Sequence, residues 1–127
     1  MNQVRKTSMI KQMPAIPTTD ERRRFERIEI LPEAQIVVLD RKGRKAGILR
    51  QLARGGFAME ADKSYPRDNK VYEFTIHEPT EDIRVDISAR IRFSEPNLVG
   101  FEFVDLTPAS AVEVGVIIGK YYDQSKR

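Results

Sequence analysis

The sequence predicts an all-β domain with one C-terminal helix: a small six-stranded antiparallel barrel with the helix packed across it. Three observations predict it. Ile83, Val85, Ile87, Ala89, Ile91 and Phe93 alternate without a break with Arg84, Asp86, Ser88, Arg90 and Arg92, the period of a strand with one buried and one wet face. Six short apolar runs are separated by closely spaced turn-forming residues, as in small barrels. Finally, Thr107-Pro108 places a capping hydroxyl before a proline, and Val112, Val116, Ile117 and Tyr121 follow at helical spacing.

The elements follow in order. Residues 1–20 mix Lys, Arg, Met, Ser and Thr without periodicity and carry Pro14 and Pro17; they read as a flexible N-terminal arm. Residues 21–123 form the expected domain, and residues 124–127 a short tail. Regular structure is expected to begin after Leu31-Pro32, with a β-branched strand over residues 34–40. Arg41-Lys42-Gly43-Arg44 makes a hairpin turn, and residues 45–52 return as its partner. After Gly55-Gly56, Phe57, Met59 and Ala61 share one side of a short strand, and a loop over residues 64–69 leads to a strand with Tyr72, Phe74 and Ile76 on one face. The alternating strand comes next. Glu95-Pro96-Asn97 turns the chain into residues 98–104, where Phe101 and Phe103 face the same way.

Composition narrows the function. The 127 residues leave room for one core. There is no cysteine and one histidine, which removes disulfides, thiolate metal sites and cysteine nucleophiles, and argues against a mononuclear zinc site or a histidine-dependent triad. The expected protein is not an enzyme. The apolar runs are too short to span a bilayer and the N-terminus lacks a signal-peptide core, so the expected location is the cytoplasm. The net charge of +3 hints at an anionic partner.

The densest cationic cluster is Arg22-Arg23-Arg24-Phe25-Glu26-Arg27, where the arm meets the domain. Guanidinium groups grip phosphate in pairs of bonds, meet the O6 and N7 edge of guanine and stack on bases. Taken alone, an arginine run reads more readily as solvated charge. It is not alone: Arg23-x-x-x-Arg27 is followed, after a strand pair, by Gln51-Leu52-Ala53-Arg54-Gly55-Gly56.

This two-part pattern resembles the PilZ family, in which an RxxxR motif precedes the barrel and a D/N-x-S-x-x-G motif ends an early strand. The resemblance runs from about Glu21 to the helix near Tyr122 and implies a PilZ-type barrel that binds cyclic di-GMP. It implies that Arg23 and Arg27 grip phosphate and guanine, that Arg22 favours an intercalated pair of ligand molecules, and that Gly56 lets the ligand approach the backbone. It also implies a downstream protein partner, in motility or surface-appendage control as in relatives. Gln51 stands where the family has Asp or Asn, and Ala53 where it has Ser. An amide on a longer arm and a methyl group replace groups that accept or donate strongly, a change of about 1–3 kcal/mol.

Three readings remain open. The first is a sensor in which cyclic di-GMP draws the arginine arm onto the barrel mouth and exposes a new surface. A second is a PilZ-like adaptor that acts by protein contact without nucleotide, which Gln51 and Ala53 favour. A third, a nucleic-acid binder, is opposed by Glu21, Glu26 and Glu29 interleaved with the basic residues. His77 reads as a surface histidine, and Glu78, Glu81 and Asp82 as solvated loop charge. Gly115-x-x-x-Gly119 reads as close packing of the helix on the barrel.

Overall fold

The computed structural model describes residues 27–125. Alternation of apolar and polar residues makes most of it β-structure: β1 (Arg27–Glu29), β2 (Val37–Leu39), β3 (Lys45–Ala53), β4 (Gly56–Ala61), β5 (Val71–Glu78), β6 (Ile83–Glu95) and β7 (Leu98–Phe103). The helix α1 (Pro108–Ser125) follows. Every pairing is antiparallel, and the order β3-β2-β5-β6-β7-β4 closes on itself through β3–β4. The six expected strands therefore form a closed barrel, which leaves them no free sheet edge.

The seventh strand among the described residues, β1, departs from expectation, since Arg27–Glu29 are already in a strand ahead of Pro32. Ile28 and Ile30 are buried while Arg27 and Glu29 face outward, and this short alternation extends the sheet beside the second half of β3. The strand expected over residues 34–40 is correspondingly shorter. Pro32–Ala34 make a 3-10 turn, and Gln35 takes the left-handed conformation (φ 55°), which breaks extended backbone before β2.

The barrel is filled by the inward halves of its strands, with Leu49, Leu52, Met59, Ile76 and Val85 fully enclosed. At its centre the rings of Phe57 and Phe101 stack with centroids 5.0 Å apart, and Phe74 meets Phe101 edge-on at 5.1 Å, arrangements that suit the ring quadrupoles. Two bulges re-aim side chains. In β3 the irregularity between Leu49 and Gln51 lets Leu49 and Leu52 both face the core while Gln51 faces out. In β6 the irregularity between Ile91 and Phe93 pairs Phe93 with Gly100, so Phe93, inward by strict alternation, lies on the outer face.

α1 lies against β1, β3 and β6. Thr107 caps it as its sequence predicts: its hydroxyl oxygen accepts the Ser110 N–H at 3.1 Å. The buried face consists of Ser110, Val114, Ile117, Ile118 and Tyr121. Val112 and Val116, expected on that face, are 66% and 49% exposed. Gly119 has nothing within contact distance of its missing side chain, so the glycine pair does not pack on the barrel as expected.

The far end of α1 is locked by Glu78, whose side chain is fully buried rather than solvated as expected. Its carboxylate accepts bonds from the Tyr121 hydroxyl, the Thr80 hydroxyl (2.6 Å), the Thr80 N–H (3.1 Å) and the Glu81 N–H (3.0 Å). Burial pushes the carboxyl up, but these donors outweigh it and hold the pKa at about 2. Burial and the same carboxylate push the Tyr121 phenol up to about 12. Lys120 meets Glu81 beside this contact. Among the described residues, no helix is long and apolar enough to cross a membrane.

Candidate ligand-binding site

Cross-strand register brings one end of the arginine motif onto the glycine motif. Arg27 on β1 faces Ala53 on β3, Ala53 faces Gly56 on β4, and Gly56 faces Glu102 on β7. A second row runs beside the first: Glu29 faces Gln51, Gln51 faces Ala58, Ala58 faces Gly100, and Gly100 faces Phe93. Because side chains alternate across a strand, and Ile28 and Leu52 are the buried pair between the rows, both rows lie on the barrel's outer face. Together they make a shallow furrow. Its floor is Ala53, Gly56, Ala58 and Gly100, its polar wall is Arg27, Glu29 and Gln51, and the Phe93 ring covers Gly100 on the other side.

Of the residues expected to bind ligand, Arg27, Gln51, Ala53 and Gly56 are thus neighbours on one surface. Arg22 and Arg23 lie outside the described residues, as does the arm over residues 1–20. Arg27 is held by the β1 ladder, so it belongs to the barrel surface rather than to a movable segment. Gln51 has a partner of its own, since its Nε2 donates to Glu29 Oε2 at 3.3 Å. Ala53 offers only a methyl group.

Gly56 has a structural reason to lack a side chain: a Cβ there would collide with the Phe101 carbonyl oxygen and press on Glu102 Cα. Glycine is therefore required by the approach of β7 itself. Gly100 is constrained in the same way by the Phe93 ring.

Sequence reading passed over Glu29 and Phe93. Glu29 was legible in the alternation Arg27-Ile28-Glu29-Ile30, which places it beside Arg27 on the outward face. Phe93 was not, because its orientation depends on the β6 bulge. Arg54, at the β3–β4 turn, reaches toward α1, with its guanidinium 3.6 Å from where a Gly115 Cβ would stand.

Other polar features stand apart from the furrow. His77 faces outward and its Nε2 lies 2.7 Å from Asp82 Oδ1, which Arg84 also approaches at 3.5 Å. The His77 contact is the chief reason the Asp82 carboxyl lies below its ordinary range. A groove of about 420 Å³ crosses the outer faces of β5 and β6 between the Asp40-Arg41 turn and residues 105–107. It is lined by Asp40, Glu73, Asp86 and Asp105 with Arg41 as its cation, and it contains none of the furrow residues. No group of His, Cys, Asp and Glu among the described residues is arranged to hold a metal ion.

Comparison with known proteins agrees with this architecture. The PilZ domain family model matches residues 21–118. The PilZ domain of YcgR from Escherichia coli, solved with c-di-GMP, superposes with a TM-score of 0.56 at 14% identity, covering 79% of this chain and 91% of that one. The PilZ domain of CeSA from a cellulose-synthesizing bacterium gives 0.50 at 17% identity, covering 74% and 95%. The Bacillus subtilis inhibitor of motility MotI/DgrA gives 0.60 at 15% identity, covering 85% of this chain and 57% of that one. At these identities the likeness is one of fold. No curated protein matches the sequence.

Proposed function

Because the chain belongs to the PilZ domain family, we propose that it is a receptor module for cyclic di-GMP, acting in the cytoplasm on a downstream protein and catalysing no reaction itself. The observation that carries this reading is the ladder Arg27–Ala53–Gly56, which joins the end of the arginine motif to the glycine motif on one outward surface. Residues 21–123 serve as the binding domain. Arg22 and Arg23, entering from residues 1–20, add their guanidinium groups to that of Arg27 around the phosphates, and the arm's change of position is the signal. Charge-assisted bonds to phosphate offset the cost of ordering it. The choice of ligand is supported by membership of the family, one of whose domains, that of YcgR from Escherichia coli, was solved with c-di-GMP.

One observation favours the alternative of a nucleotide-free adaptor: the Gln51 amide is already bonded to Glu29 and Ala53 adds no polar group. Titration calorimetry with cyclic di-GMP separates the two. The receptor reading expects heat from the parent, lost in Arg23→Ala and Arg27→Ala variants that melt at the parental temperature. A parent giving no heat at high micromolar ligand refutes it and leaves the adaptor.

A further inference from the structure

Among the described residues, every aromatic side chain except that of Phe93 belongs to the apolar core or packs against it. Strict alternation along β6 would turn the Phe93 ring inward as well, where full burial of a phenyl group stabilises the fold. The bulge between Ile91 and Phe93 sets it opposite Gly100 instead, and it stays half-buried on the outer face. Bulges that re-aim a side chain are concentrated beside active sites and sheet edges, and a closed barrel has no edge here. Gly100 completes the arrangement, because a Cβ there would run into Cε2, Cδ2 and Cζ of the ring. The ring therefore fills the space over β7 and forms the surface there itself.

An aromatic ring held on an outer face has a defined use where nucleotides bind. Every base presents a flat π-face, and protein aromatics carry bases by stacking. Arg90, the preceding outward residue of β6, faces Glu102, so a guanidinium stands next to the ring on the same face. That cation suits the O6 and N7 edge of a guanine. From β1 to β7 the chain crosses β3 and β4, three strand spacings or about 14 Å, and the bases of a cyclic dinucleotide project outward from its sugar–phosphate ring. We propose that Phe93 is the stacking platform for one guanine of cyclic di-GMP whose phosphates are held on the Arg27 side. The proposal rests on the receptor reading above and adds to it a binding residue on β6, outside both sequence motifs.

The test uses the full chain in two measurements. In calorimetry with cyclic di-GMP, Phe93→Leu keeps an apolar side chain over Gly100 but removes the flat ring, and it is expected to weaken binding roughly ten- to a hundredfold. Phe93→Tyr keeps the ring and is expected to bind as the parent does. The chain contains no tryptophan, so Phe93→Trp places a single fluorophore at the contact, and a guanine stacked on it is expected to quench its emission. This second readout reports contact directly and decides the matter if Phe93→Leu melts below the parent. A Phe93→Leu variant that binds as tightly as the parent, or a Phe93→Trp emission left unchanged by saturating cyclic di-GMP, overturns the proposal and leaves the receptor reading standing. A parent that gives no heat with the ligand overturns both.

Discussion

Replacing Glu78 by Gln tests the lock between barrel and helix. The carboxylate is fully enclosed and receives donors from Tyr121, Thr80 and Glu81. Its pKa falls from the ordinary 4.5 to about 2, a difference that corresponds to about 3 kcal/mol in favour of the folded state. The sign follows from the depressed value: this stabilisation is fully present above pH 4.5 and is lost as pH falls toward 2. By pH 3 roughly 2 kcal/mol of it is gone. An amide of the same shape removes the charge and points an N–H₂ group at donors, so Glu78→Gln is expected to cost about 2–3 kcal/mol at pH 7. Urea denaturation of parent and variant at pH 7 and pH 3 measures both quantities. The parent's stability should fall more steeply with acid than the variant's, by roughly 2 kcal/mol. Equal acid slopes would refute the reasoning, because they would mean that Glu78 titrates alike in the folded and unfolded chain.

Two further outcomes follow from the packing. Gly56→Ala forces a Cβ into the Phe101 carbonyl and is expected to lower stability by about 2 kcal/mol or more in ligand-free protein, read as a drop in melting temperature; a parental melt would show that β7 does not need the glycine. Val116→Lys, on the exposed side of α1, is expected to change stability by less than about 0.5 kcal/mol, and a large loss would return Val116 to the buried face that its spacing predicts.

Much of the fold was legible because alternation and turn residues are local signals. Residues 83–93 announce β6, and Thr107-Pro108 announces α1. What escaped depended on neighbours distant in sequence. The outward turn of Phe93 requires the β6 bulge opposite Gly100, and the rotation of α1 that exposes Val112 follows from Tyr121 reaching Glu78 and Ser110 Oγ donating to the Asp86 carbonyl at 2.8 Å. Glu78 itself was readable in part. It shares the parity of Tyr72, Phe74 and Ile76, so β5 carries it inward, but only the Tyr121 hydroxyl and the Thr80-Glu81 turn make a carboxylate acceptable there. At the site, the resemblance to the family's two motifs named Arg27, Gln51, Ala53 and Gly56, whereas the role of Gly56 in admitting β7 emerged from three-dimensional contact.

The β1 ladder also changes what an arginine motif of this spacing can do. Arg27 is fixed beside Ala53 by strand pairing, so its guanidinium is available to a ligand without first ordering backbone, a saving that otherwise counts against affinity. Arg23 lies four residues earlier, and a chain advances at most about 3.3–3.6 Å per residue, which keeps its Cα within about 14 Å of Arg27 along any path. Strands are spaced about 4.8 Å apart, so the row from Arg27 through Ala53 and Gly56 to Glu102 spans about the same distance. The reach of the motif therefore equals the width of the furrow. One arginine is built into its wall, and the receptor reading requires the second to stand within that reach of it. In the receptor reading Arg27 then determines where the ligand sits, and Arg23 converts its arrival into a change in the course of the preceding chain.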